Sequence, residues 1–111
     1  MRHGKYNARK TTVDGVTFAS AREAARYGEL KMLERAGKIS GLELQPRYEL
    51  QPAFRTKDGK AIRAVEYVAD FVYTEDGKII IEDCKGWRTD IFKLKLKLMF
   101  FRHPDINFRL T

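Results

Sequence analysis

The chain has 111 residues, of which 43% are hydrophobic and 33% charged, and 22 Lys and Arg against 15 Asp and Glu give it a net charge of +7. This excludes wholesale disorder and leaves room for one core without a separate recognition domain. One cysteine excludes an internal disulfide, no Cys/His cluster has zinc spacing, and no apolar run approaches the roughly 18 residues of a membrane span. The positive charge favours a polyanionic partner, nucleic acid ahead of an acidic membrane surface, over a merely soluble basic protein. With no signal peptide visible, we expect a cytoplasmic protein.

Residues 1–12 are expected to form a flexible basic arm, ahead of a single domain over residues 13–111. Within the arm, Lys5, Arg9 and Lys10 are candidates for phosphate contacts, although a solvated tail would have the same composition. The Asp14-Gly15 pair predicts a small hairpin or an ordered lead-in.

A first helix is predicted from Ala21 to Ala36. Ser20 and Glu23 form a Ser-x-x-Glu capping box, and Gly37 is a suitable stop. At 100° per residue Glu23 shares the inward face with Tyr27 and Leu30. Glu23 is therefore either a helix-capping residue or an acid of an active site, and the pattern leaves both open.

Three features lie between this helix and the turn of the central hairpin, which comprises Tyr67 to Lys85. Leu42 to Leu50 predicts a strand that Pro46 interrupts, as at an edge or a bulge, and Phe54 to Lys60 is a basic turn. Ala61 to Tyr73 is expected to be one long strand, with Asp70 on one face and Tyr67, Phe71 and Tyr73 on the other.

The central hairpin turns at Asp76-Gly77 and continues through Asp83 and Lys85. Alternation places Asp83 and Lys85 on one face, with Glu82 and Cys84 on the other. Asp70 ends the preceding strand, so two carboxylates and one ammonium would meet at one sheet edge. Buried carboxylates need a cationic partner, which a divalent metal would supply, although an ion pair between Lys85 and either acid would produce the same pattern.

A second helix is predicted from Thr89 to Arg102, followed by a strand over Ile106 to Leu110. Phe92 to Leu98 alternates like a strand, but its Leu and Lys residues are helix formers and Thr89 is a good N-cap. The helix would make the crossover that a parallel strand pair requires. Its nearly all-round apolar surface predicts that it is largely buried, against the sheet or in a homodimer.

Magnesium suits the two acids, because it prefers oxygen ligands and is commonly held by one or two carboxylates together with substrate phosphates. A metal-bound water beside a lysine could hydrolyse a phosphodiester.

The order Ser20-x-x-Glu23, Asp70 and Asp83-Cys84-Lys85 resembles the PD-(D/E)xK nuclease superfamily. The local sequence around Asp70 and Asp83 resembles that of small phage and prophage proteins of that superfamily. Phage endonuclease I and Holliday-junction resolvases are more distantly similar. The resemblance implies a restriction-endonuclease-like α-β-β-β-α-β core, an α/β fold with a mixed central sheet flanked by helices. Ala69 stands where the superfamily's name has proline.

The resemblance also implies roles for particular residues. Asp70, Asp83 and the backbone carbonyl of Cys84 would bind Mg²⁺, for which Mn²⁺ would substitute, and Glu23 would bind it directly or through water. Lys85 would position the water or the phosphate, and Lys95 would face the scissile phosphate. Further candidates for DNA contact are Lys93 and Arg88.

Three functions follow from this reasoning. The leading expectation is a magnesium-dependent DNA endonuclease, possible substrates including junctions and other branched DNA. The alternative is a catalytically silent nucleic-acid-binding module of the same fold. A third is a structural or adaptor protein of a phage particle, in which the acids form ordinary ion pairs.

Overall fold

The computed structural model describes residues 10–84 and 88–111. These residues form ten strands and two helices: β1 (Thr11–Val13), β2 (Val16–Phe18), α1 (Ala21–Arg35), β3 (Ser40–Leu44), β4 (Arg47–Gln51), β5 (Phe54–Arg55), β6 (Ala61–Ile62), β7 (Val65–Val68), β8 (Phe71–Glu75), β9 (Lys78–Asp83), α2 (Asp90–Arg102) and β10 (Asn107–Leu110). The expected basic arm lies outside the described residues up to position 9, and Thr11 and Thr12 already belong to β1.

Local sequence signals account for the turns and helix ends. Asp14-Gly15 and Asp76-Gly77 both adopt positive φ, as two-residue hairpin turns require, and they join β1 to β2 and β8 to β9. The hydroxyl of Ser20 accepts a hydrogen bond from the Glu23 N–H (3.1 Å), which confirms the predicted N-cap of α1.

The central sheet is mixed and has the strand order β10-β9-β8-β3. β8 runs antiparallel to both β3 and β9, whereas β10 runs parallel to β9, with α2 as the crossover between them. Thr89 caps α2 by accepting a hydrogen bond from the Phe92 N–H (3.0 Å). The predicted second helix, crossover and final strand are therefore confirmed.

The two helices cover opposite faces of this sheet. Alternate side chains of β9 point to different sides: Ile80 packs in a core with Tyr27 and Leu30 of α1, and Ile81 packs in a second core with Phe92 and Met99 of α2. The chain is thus a mixed α/β protein, in which a four-stranded central sheet lies between the two helices.

The prediction of one long strand from Ala61 to Tyr73 is wrong. The segment breaks twice and forms β6, β7 and β8. Because the second break lies at residues 69–70, Tyr67 packs in the α2 core whereas Phe71 and Tyr73 pack in the α1 core, so the expected shared face does not exist. The strand predicted from Leu42 to Leu50 is divided around Pro46 into β3 and β4, which confirms the predicted interruption.

Within one chain, the expected burial of α2 against the rest of the fold holds for one face only, and its alternative, burial in a homodimer, stays a prediction. Only Phe92 and Met99 are fully buried, while Ile91, Leu94 and Phe101 are 67%, 54% and 82% exposed. The helix packs on β4 and β7 and, through Phe92 and Met99, on the core side chains of the central sheet. No helix among the described residues is long and apolar enough to cross a membrane.

Candidate functional site

Asp70 and Asp83 lie opposite each other at the ends of neighbouring strands. Phe71 pairs with Glu82 in the antiparallel β8–β9 register, so the next step along the ladder sets Asp70 against Asp83. Oδ1 of Asp83 accepts the Asp70 N–H (2.8 Å), and Oδ2 of Asp70 accepts the Cys84 N–H (2.7 Å). Each carboxylate is therefore held by the backbone beside the other.

A bend in the chain brings Asp70 to this place. β3 and β4 run antiparallel to β8 and β7, and both pairs break at the same level. Across the break, Gln45 donates its N–H to the Asp70 carbonyl (3.0 Å) and Ala69 donates to the Pro46 carbonyl (3.2 Å). Gln45 has φ of 50° and Pro46 has no N–H, so a regular ladder cannot pass this point.

Tyr67 holds Asp83 from the α2 side. Its hydroxyl donates a hydrogen bond to Oδ2 of Asp83, and both residues are almost completely buried. Burial first, and then the hydrogen bond to Asp83, raise the pKa of Tyr67 far above its ordinary value. Tyr67 therefore stays protonated and remains a donor to the buried carboxylate.

Glu23 lies near the same strand ends, on the α1 side. It is only 6% exposed although it stands in the first turn of a helix, so its side chain points inward as predicted. Burial raises the pKa of the Cys84 thiol, and the charges of Asp70, Glu82 and Glu23 raise it further. The Cys84 thiol therefore stays protonated at neutral pH.

Glu82 belongs to a separate buried network on the α1 face, as its predicted orientation away from Asp83 requires. Arg26 of α1 binds both carboxylate oxygens through Nε and Nη2 (3.0 Å for Nη2), and the hydroxyls of Tyr73 and Thr111 also donate to them. Burial alone would raise the pKa of Glu82, but the hydrogen bonds from Arg26, Tyr73 and Thr111 lower it. Glu82 is thus a charged structural residue, fully satisfied by its neighbours.

The predicted basic residues fall into two groups. Lys85 lies outside the described residues, as do Lys5 and Arg9. Among the others, Lys10, Arg88 and Lys93 are exposed and Lys95 is half-buried on α2. None of these four pairs with a carboxylate of residues 10–84 and 88–111.

The donor chemistry of the acid pair fits a hard divalent cation. Two carboxylates sit at adjacent strand ends, and carboxylate oxygens are the ligands that hard divalent cations prefer. Within the described residues, no three His, Cys, Asp or Glu side chains are gathered as a complete ligand set. Asp70 and Asp83 could supply two oxygen ligands, and the buried Glu23 lies on the α1 side.

Sequence reasoning missed the residues that support the acids. Strict alternation predicts that Tyr67 lies on the face opposite Asp70. The break at residues 69–70 reverses this alternation, and no strong sequence signal indicates the break. The sequence also does not indicate that Arg26 and Tyr73 bind Glu82, because these contacts form only in the folded chain and Arg26 is distant from Glu82 in sequence.

The comparison with protein families gives one match. Residues 3–111 match the family model described as "Protein of unknown function (DUF1064)". No curated protein and no solved structure matches the chain.

Proposed function

The chain belongs to the DUF1064 family, and we propose that it is a magnesium-dependent DNA endonuclease with a restriction-endonuclease-like core. The observation that carries the proposal is the pairing of Asp70 with Asp83. Two carboxylates are fixed by backbone N–H groups at the ends of adjacent strands, and the sequence continues from Asp83 into an Asp-x-Lys motif. The net charge of +7 favours DNA as the partner.

In this proposal each residue has a defined task. Asp70 and Asp83 hold the cation, with Glu23 acting directly or through water, and Lys85 positions the attacking water or the phosphate. Bound magnesium would lower the pKa of a water and stabilise charge on the phosphate. Tyr67 positions Asp83, while Lys93, Lys95 and Arg88 neutralise phosphates along the DNA.

Homodimerisation is a further part of the proposal. Ile91, Leu94, Leu98 and Phe101 recur at intervals of three and four residues along α2, the spacing of a helix–helix seam. Three of them are more than half exposed, and an apolar stripe of this kind marks an interaction surface. Two subunits would place two sites on one DNA, so that both strands can be cut.

The decisive experiment is cleavage of linear, flapped and four-way-junction DNA in Mg²⁺ or Mn²⁺. We expect Asp83→Asn and Asp70→Asn to lower the cleavage rate at least about a hundredfold, corresponding to about 2.7 kcal/mol or more of transition-state stabilisation. The matched control is Glu82→Gln, which neutralises the adjacent buried acid on the opposite face and should keep activity while it remains folded.

Two outcomes would contradict the proposal. Full cleavage by folded Asp83→Asn would remove the metal site from the reaction. DNA binding without any cleavage, unaffected by chelator, would instead favour the catalytically silent binding module.

A further inference from the structure

A basic ribbon projects from the body of the protein between β4 and β7. It comprises residues 52–64, which we call the projecting ribbon: β5, a turn and β6, with Phe54 opposite Ile62 and Arg55 opposite Ala61. No other described helix or strand contacts β5 or β6. None of its residues is buried and none belongs to either hydrophobic core.

The projecting ribbon is nevertheless a regular structure. The Thr56 N–H donates to the Lys60 carbonyl (2.9 Å) and the Gly59 N–H donates to the Thr56 carbonyl (2.9 Å), so that the turn is closed. Gly59 has φ of 84°, and Arg55 braces the turn by donating from Nη1 to the Gly59 carbonyl (2.8 Å). These bonds define the conformation of the turn and the register of the two strands.

Its charge is strongly positive and unpaired. The projecting ribbon carries Arg55, Lys57, Lys60 and Arg63 against Asp58 alone. None of these four cations forms an ion pair with any described carboxylate. Exposed cations that the fold does not use, on an element that the core does not need, indicate a polyanionic ligand.

The dimensions suit a DNA duplex. A two-stranded β-ribbon fits the major groove, which is about 12 Å wide. Arg63 lies seven positions before Asp70 and Lys60 ten positions before it. At about 3.3 Å per residue, their backbones can be at most about 23 and 33 Å from Asp70, which is within one helical turn of DNA.

We propose that the projecting ribbon is a second DNA-binding element, which contacts the duplex within one helical turn of DNA from the Asp70–Asp83 pair. The inference rests on the proposed function for its choice of DNA. It assigns the ribbon to binding and leaves the chemical step to Asp70 and Asp83. Arg55 partly serves the turn, so Lys57, Lys60 and Arg63 are the three cations available to phosphates.

The test compares two triple variants with the wild-type protein on a duplex of roughly three helical turns. The ribbon variant is Lys57→Gln/Lys60→Gln/Arg63→Gln. The control is Arg35→Gln/Lys38→Gln/Lys78→Gln, which removes three exposed, unpaired cations near the opposite end of the central sheet. Affinity is measured in chelator between about 50 and 200 mM salt, and cleavage is measured separately at saturating DNA.

We expect the ribbon variant to reduce the slope of log affinity against log salt by about 2 to 3, since each lost phosphate contact removes about 0.9. Its affinity should fall about tenfold or more at low salt, with the cleavage rate at saturating DNA unchanged. The control should bind nearly as the wild type does. Equal losses in both variants, or no loss in the ribbon variant, would overturn the inference.

The experiment separates this inference from the proposed function. A wild-type protein that binds DNA with the expected ribbon dependence but cuts none would overturn the nuclease and support the ribbon. If the wild-type protein cuts DNA and the ribbon variant binds DNA with unchanged affinity, the nuclease is supported and the ribbon inference is overturned. A wild-type protein that neither binds nor cuts DNA would overturn both.

Discussion

Asp70 and Asp83 are held in place by reciprocal hydrogen bonds: the backbone N–H of Asp70 donates to the Asp83 carboxylate, and the N–H of Cys84, which follows Asp83, donates to the Asp70 carboxylate. Two negative charges at close range repel, so such a pair needs donors or a cation to stay ionised. The backbone supplies one donor to each acid, and Tyr67 supplies another to Asp83. The strand ends thereby hold the acid pair in a fixed geometry before any ligand arrives.

Removing the Tyr67 hydroxyl should weaken both the fold and the site. Tyr67→Phe deletes a buried donor to a carboxylate, and we expect the free energy of unfolding to fall by about 1.5–3 kcal/mol. Tyr48→Phe is the matched control, because Tyr48 is the direct cross-strand neighbour of Tyr67 and its hydroxyl bonds to no described residue. Urea denaturation of the two variants provides the measurement, and equal stabilities would contradict the role of Tyr67.

The Arg26–Glu82 pair predicts a second, independent loss of stability. Arg26→Met leaves the fully buried Glu82 without its cation, and breaking a buried pair in this way costs about 3–5 kcal/mol. Arg22→Met, one turn earlier on the same helix and exposed, should change stability by no more than about 0.5 kcal/mol. Thermal unfolding should distinguish the two, and a near-neutral Arg26→Met would show that Glu82 is satisfied without it.

Acid should unfold the protein partly through Glu82. Its pKa in the folded state lies below the ordinary value of 4.5, because the hydrogen bonds from Arg26, Tyr73 and Thr111 outweigh the effect of burial. The ionised Glu82 carboxylate therefore stabilises the folded state fully above its ordinary pKa of 4.5. This contribution is lost as the pH falls through the lower pKa of the folded state. In Glu82→Gln, the free energy of unfolding should fall less steeply from about pH 5 to pH 3. Parallel urea curves for wild type and variant across this range would contradict the prediction.

Local signals in the sequence predict most of the fold correctly. Ser20, Thr89 and the two Asp-Gly turns act through their nearest neighbours, so their chemistry is readable without the tertiary structure. The bend at residues 69–70 is different, because it depends on Gln45 and Pro46, which lie between β3 and β4 and are distant in sequence. Tyr67 could not be placed for that reason, and Arg26 could not be paired with Glu82 because their contact is entirely tertiary.

The same limit applies to helix α2 within one chain. Its composition predicts burial on nearly every side, but one face of a helix can contact only the elements that the chain brings to it. β4 and β7 reach one side, and Ile91, Leu94 and Phe101 remain exposed on another. Composition gives the amount of apolar surface, while topology decides how much of it is covered.

Metal binding should be visible as a thermal shift without any DNA. A ligand at ten times its dissociation constant stabilises the folded state by about 1.4 kcal/mol, which for a domain of this size raises the melting temperature by about 5–11 °C. We expect Mg²⁺ and Mn²⁺ to stabilise the wild type and Glu82→Gln, but not Asp83→Asn. A shift that persists in folded Asp83→Asn would place the cation elsewhere. Absence of a shift in every protein would favour the reading of the acids as ordinary structural residues.

The exposed stripe of α2 predicts a dimer that one charge can dissociate. Leu94→Asp places a carboxylate in the centre of the stripe, where burying it against a second helix would be costly. Phe100→Asp is the matched control, because Phe100 is 44% exposed on the same helix but lies off the stripe. Sedimentation at micromolar concentration should show dimers for the wild type and the control, and monomers for Leu94→Asp. Only monomers in all three would contradict dimerisation, and dimers in all three would place the interface on another surface.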